Sequence, residues 1–133
     1  MIYALDSDTI SYVIKGTLNI DAHIQQTIES GGDIIIPPQT YFEILRGLKY
    51  RQAPKQTEAF MTMVRHFPVG VMSFEMWTLA AEIFAELRQR GITIDTGDIL
   101  IAAFCIIRGY TLITNNLKHF QRIPQIKLEN WTE

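Results

Sequence analysis

The sequence predicts a three-layer α/β/α fold around a mainly parallel sheet of four to five strands. Three observations carry that expectation. Short apolar runs without polar alternation, such as Ile2-Tyr3-Ala4-Leu5 and Asp33-Ile34-Ile35-Ile36, suit strands covered on both faces. Longer stretches between them carry apolar residues at helical spacing. Strands that alternate with helices build parallel sheets with helices packed on either side.

Each element follows from local chemistry. The first strand ends in Asp6-Ser7-Asp8, where Asp8 is expected to cap a helix running to Lys15, with Gly16 as its stop. Ile20, Ile24 and Ile28 recur at i+4 and predict a helix from Ile20 to Ser30, closed by Gly31-Gly32. The β-branched run Asp33 to Ile36 is a second strand, bounded by Pro37-Pro38. Proline fits the first turn of a helix, so a third helix begins near Pro38. Its expected apolar stripe is Tyr41, Leu45 and Leu48, widened by Phe42 and Ile44. Tyr50 to Gln56 reads as a polar connection, Lys55 to His66 as a helix, and Val69 to Met72 as a short strand. Phe74 to Gln89 is an amphipathic helix with Trp77, Ala80, Ala81, Phe84 and Leu87 on one face. After a loop from Ile92 to Gly97, Asp98 to Arg108 is the most apolar helix, stopped by Gly109. Tyr110 to Thr114 is a strand, Asn115 to Pro124 a polar loop, and Ile126 to Glu129 an edge strand.

Composition narrows the function. The 133 residues read as a single domain with enough apolar content, 47%, for a real core. The longest apolar run, Ile99 to Ile107, is nine residues against the roughly 20 that a membrane span needs. No basic segment or cleavage site marks a signal peptide, and the lone Cys105 lies inside that apolar run; both predict a reducing cytoplasm. Cysteine metal sites are excluded, and His23, His66 and His119 lack zinc-helix spacing. A formal charge of −2 argues against generic adhesion to nucleic acid, yet permits an acidic centre with basic groups at its rim.

The chemistry-bearing residues are acidic. Asp6 ends the first strand, where open α/β sheets place their ligands; it is either a metal ligand or a turn and cap residue. Glu43 sits in the apolar stretch Tyr41-Phe42-Glu43-Ile44-Leu45, a costly position unless the carboxylate is solvated, paired or metal-bound. Asp95 and Asp98 open the most apolar helix, and the preferred division has Asp95 capping and Asp98 coordinating. Asn115 and Asn116 suit a turn, and an amide oxygen there could also support a hard cation. Mg2+ or Mn2+ takes oxygen ligands and keeps several waters, so two to four such groups suffice.

These segments together resemble the PIN domain family, specifically VapC-type toxin ribonucleases of bacterial toxin–antitoxin pairs. The resemblance rests on Leu5-Asp6-Ser7-Asp8 with Ile10, on Phe42-Glu43-Ile44-Leu45-Arg46-Gly47, and on Gly91-Ile92-Thr93-Ile94 through Asp98-Ile99-Leu100-Ile101-Ala102-Ala103. It continues in Leu112-Ile113-Thr114-Asn115-Asn116, His119-Phe120, Arg122-Ile123-Pro124 and Glu129-Asn130-Trp131. It implies that Asp6, Glu43 and Asp98 bind Mg2+ or Mn2+, that Thr114 supports them, and that RNA is hydrolysed to 5′-phosphate and 3′-hydroxyl ends. Asn116 stands where many relatives carry a fourth acid, and Asp8 where they usually carry Asn. Lys15, Arg46, Lys49 and Lys118, with Arg122, are the candidate RNA contacts. A VapB-like antitoxin and a homodimer are the implied partners. Two rivals remain. A PIN fold that only binds is one; a phosphoacceptor receiver domain is the other, and it lacks an acceptor Asp after its middle strands, which end in Pro37-Pro38 and Met72-Ser73.

Overall fold

The computed structural model describes residues 1–16 and 19–132. Four short strands, β1 (Ile2–Leu5), β2 (Asp33–Ile35), β3 (Thr111–Ile113) and β4 (Lys127–Glu129), form one parallel sheet in the order β2-β1-β3-β4. The helices are α1 (Ser7–Lys15), α2 (Ile20–Glu29), α3 (Pro38–Arg51), α4 (Pro54–His66), α5 (Phe74–Gln89), α6 (Thr96–Arg108) and α7 (Leu117–Phe120).

Residue alternation along the strands splits the core into two layers, as the strand period of two requires. Ala4 and Leu112, paired in register, face α5 and α6 and pack with Met76, Ala80, Ile83, Leu87 and Ile101. Leu5 and Ile113 face the other way and pack with Ile10, Ile24, Ile44, Leu48 and Phe60 from α1 to α4. The expected three-layer parallel architecture is therefore observed, with four strands.

Several expectations are corrected. Asp6, not Asp8, caps α1: its Oδ1 accepts from the Ser7 amide at 2.8 Å, and Asp8 lies in the first turn. Val69 to Met72 forms no strand; only Val69 bridges to Ile36, because the partner segment runs straight into Pro37-Pro38, which lack N–H donors, and α3. The connection drawn from Tyr50 to Gln56 shrinks to Gln52 and Ala53, since α3 runs on to Arg51 and α4 starts at Pro54. The polar loop after Asn115 contains the single turn α7. On α5 the buried stripe is Met76, Ala80, Ile83 and Leu87, while Ala81, Trp77 and Phe84 lie on the solvent side. Phe42 likewise leaves the α3 stripe and is 60% exposed. Two adjacent apolar stripes share one helical period, and burial chose the other one.

The topology positions the site. The order reverses between β1 and β3, which leaves a crevice outside their carboxyl ends. A helix that precedes a parallel strand runs antiparallel to it, so the N-terminus of α6 also arrives at that end.

Candidate metal centre

Asp6 and Thr114 are the first residues beyond β1 and β3. The ladder continues one step past the strands, with the Asp6 amide donating to the Ile113 carbonyl at 2.9 Å. That places the two side chains together: the Thr114 hydroxyl donates to Asp6 Oδ2 at 2.8 Å. Thr114 Oγ1 in turn accepts from the Asn116 amide at 3.0 Å, which sets the hydroxyl direction. Asp8, in the first turn of α1, joins the group; its Oδ2 accepts from the Asn115 amide at 3.0 Å and lies 3.5 Å from Thr114 Oγ1.

Glu43 reaches the same end from α3. Its Oε1 accepts from the Ser7 hydroxyl at 2.7 Å, tying it to the residue next to Asp6. Its Oε2 lies where a Cβ on Gly97 would approach within 2.5 Å, so the carboxylate rests on the first turn of α6. Asp98 extends from that turn, and its Oδ2 meets His119 Nε2 at 2.8 Å. Asp95 occupies the N-cap position of α6, though its side chain makes no capping hydrogen bond.

The electrostatics are those of a site short of positive charge. Asp6 is 6% exposed, and its carboxyl is pushed up from 3.8 to about 7. Burial is the main cause, followed by the negative charge of Asp8; the hydrogen bonds from Thr114 and Ser7 act the other way, and Asp98 adds a smaller push upward. Asp98 is also raised, first by burial, against the lowering contact with His119 and with added repulsion from Asp95 and Asp8. Among the described residues the one Lys or Arg within ion-pair distance of a carboxylate is Arg90, with Glu86, so none pairs with Asp6, Asp8 or Glu43. An all-oxygen, negative and partly desolvated donor set of this kind fits a hard divalent cation. No three His, Cys, Asp or Glu side chains among the described residues lie close enough to hold an ion between them. A Mg2+-like ion needs only one or two carboxylates, with water filling its other positions. Asp6 and Asp98 could supply those two.

The expected basic residues separate. Lys15 lines a cavity of about 200 Å3 with Ser7, Glu43, Gly47, Arg51 and Gln56, adjoining the acidic group. Lys49 lines a different cavity with Gln52, Pro54 and Met61. The Arg46 guanidinium lies over the Phe42 ring at 5.2 Å, on the exposed side of α3, and Lys118 is exposed on α7. Asn116 is exposed and its side chain makes no hydrogen bond among the described residues. Asn115 is the structural one, since its Oδ1 accepts from Asn130 Nδ2 and Thr132 Oγ1.

A family model for the PIN domain matches residues 3–126. The chain belongs to the PIN domain family. Within it, the chain is 29% identical to a protein named ribonuclease VapC2 of Rickettsia felis, over 98% of each sequence. It is 30% identical to the tRNA(fMet)-specific endonuclease VapC of Salmonella typhimurium, over 97% of each. Among solved structures, VapBC2 from Rickettsia felis, bound to a DNA fragment from its promoter, superposes with a TM-score of 0.89 at 27% identity, covering 98% of this chain and 99% of that one. No helix among the described residues of this PIN domain is long and apolar enough to cross a membrane.

Sequence reasoning passed over Ser7, Arg51 and the contact of His119 with Asp98. Ser7 had a signal in principle, as the hydroxyl between two carboxylates at a strand end. His119 had none beyond its place in the family-like tail, because 21 residues separate it from its partner.

Proposed function

We propose that this PIN domain is a Mg2+- or Mn2+-dependent endoribonuclease, the toxin of a toxin–antitoxin pair. The observation that carries the reading is the buried, proton-retaining Asp6 at the β1/β3 crevice, surrounded by further carboxylates and by no basic neutraliser. Asp6 and Asp98 would hold the cation directly, with Glu43 acting through water. When bound, the ion supplies Lewis acidity, lowering the pKa of water and offsetting charge that builds on the phosphate. Glu43, steadied by Ser7, orients the attacking water and takes its proton. Thr114 keeps Asp6 in place for the ion. Water oxygen bonds to phosphorus, the P–O3′ bond breaks and the leaving 3′ oxygen takes a proton from solvent, so the products carry a 5′-phosphate and a 3′-hydroxyl.

The names of its relatives support RNA as substrate and a VapB-like antitoxin as partner. The exposed apolar side chains of Phe42, Val71, Phe74 and Trp77 support a second subunit or that antitoxin on this side of the fold. The test is direct: antitoxin-free protein is incubated with RNA, with and without Mg2+ or Mn2+, and the new ends are sequenced. Metal-dependent cuts with 5′-phosphates are expected. RNA that is bound but never cut would favour the second reading, a binding-only PIN fold, which draws on Asn116 standing in place of a fourth acid.

Three variants probe this reading. Arg51 and Lys15 flank the cavity beside Glu43, so Arg51→Ala and Lys15→Ala should raise KM for RNA while sparing kcat. Each should also flatten the salt dependence of binding by roughly 0.7 to 1 in log–log slope, the signature of one lost phosphate contact. Gly97→Ala places a methyl group 2.5 Å from Glu43 Oε2. A carboxylate at the end of a flexible side chain yields easily, and alanine is the better helix former, so the melting temperature should hold. Cleavage should nevertheless fall about 10- to 100-fold, because Glu43 is displaced from the water it positions.

A further inference from the structure

We propose that His119 is a positioning residue for Asp98, and that Arg122 fixes its imidazole with the donating ring hydrogen on Nε2. The proposal rests on the reading of Asp98 as a metal ligand given above.

The geometry is a chain of three side chains. Arg122 Nη2 lies 2.7 Å from His119 Nδ1, and His119 Nε2 lies 2.8 Å from Asp98 Oδ2. A guanidinium has donors only, so Nδ1 must accept. The ring hydrogen therefore sits on Nε2 and is donated to Asp98. Arg122 Nε also donates to the His119 carbonyl at 3.3 Å, so the guanidinium grips its target twice. The ring is held a third way, edge-on against buried Phe120 at 5.4 Å between centroids.

The consequence concerns the direction of Asp98. A hydrogen bond donated to Oδ2 fixes the orientation of the carboxylate. Asp98 Oδ1 forms no hydrogen bond among the described residues and is the oxygen left for coordination. Ligating carboxylates are commonly oriented by an outer hydrogen bond of this kind, and its loss weakens metal binding about 10- to 100-fold. A merely structural His119 would predict otherwise. It sits on a single-turn helix with its side chain 20% exposed, where removal would change stability rather than affinity for an ion.

The experiment measures Mn2+ affinity of the antitoxin-free full chain by calorimetry, beside 15N NMR of the imidazole. Wild type should show the Nε2–H tautomer. His119→Phe should weaken Mn2+ binding about 10-fold with a near-unchanged melting temperature. His119→Gln, whose amide can still donate to Asp98, should recover most of that loss. Arg122→Gln, a change at an exposed position, should mix the tautomers and weaken binding by a smaller factor. Wild type that takes up no Mn2+ overturns the metal reading and this proposal with it. Wild type that binds Mn2+ beside a His119→Phe protein that binds equally well overturns this proposal alone, as does an imidazole protonated on Nδ1.

Discussion

Replacing Asp6 with Asn is expected to remove RNA cleavage and, in the same protein, to raise the melting temperature. The two effects have one origin. In the folded chain the Asp6 carboxyl is raised from 3.8 to about 7, chiefly by burial and then by Asp8. The folded state thus holds this proton more tightly than the unfolded chain does. Stability falls as pH rises from about 4 to about 7, and above that window the full cost, about 4 kcal/mol, is present. Asparagine is nearly isosteric and uncharged, so it escapes the cost, less whatever the Thr114 hydrogen bond contributed. Metal-free Asp6→Asn should melt on the order of 5–10 °C above metal-free wild type at pH 8, and the gap should close by pH 4. Cleavage should drop on the order of 10³-fold, the several kcal/mol that a metal contributes to a phosphoryl transition state. Calorimetric melts across pH, with a gel assay on the same samples, check both. A variant that cuts like wild type would sink the metal-centre reading.

What was legible in the sequence was whatever depends on local pattern. The run Ile2 to Leu5 followed by Asp6 already implied a carboxylate at the mouth of a parallel sheet, and Gly16 and Gly109 marked helix ends that the structure closes with left-handed residues. Glu43 stood out because a charge among apolar neighbours requires a reason. The failures share a cause in tertiary context. Asp8 is as good a cap as Asp6 by type, and only the β3 neighbour decides that Asp6 turns toward Ser7 while Asp8 turns toward Asn115. Val69 to Met72 has strand-like composition, but its partner segment ends at Ile36, where Pro37-Pro38 remove the donors and α3 begins. Lys49 and Arg51 are two residues apart on α3, and a helix sends such neighbours to different faces, so only one of them reaches the cavity beside Glu43. Charge type alone could not choose between them.

Addition of Mg2+ or Mn2+ should stabilise the wild-type protein strongly at pH 8 and weakly at pH 5.5. A cation held by Asp6 and Asp98 would offset the repulsion that Asp8 and Asp98 exert on Asp6, and binding to the folded state alone raises the melting temperature by mass action. With Asp6 as a ligand, as proposed above, coordination would require its carboxylate, so below about pH 7 a proton would have to leave first. Its ionised fraction falls roughly 25-fold from pH 7.5 to pH 5.5, and the apparent affinity should fall by at least that factor. The raised carboxyl of Asp98 can only steepen the decline. Titrations in two buffers of different ionisation enthalpy should count close to one proton released per ion bound near pH 6 from Asp6, and correspondingly fewer with Asp6→Asn. Affinity independent of pH, or no proton release, would mean that Asp6 is not a ligand.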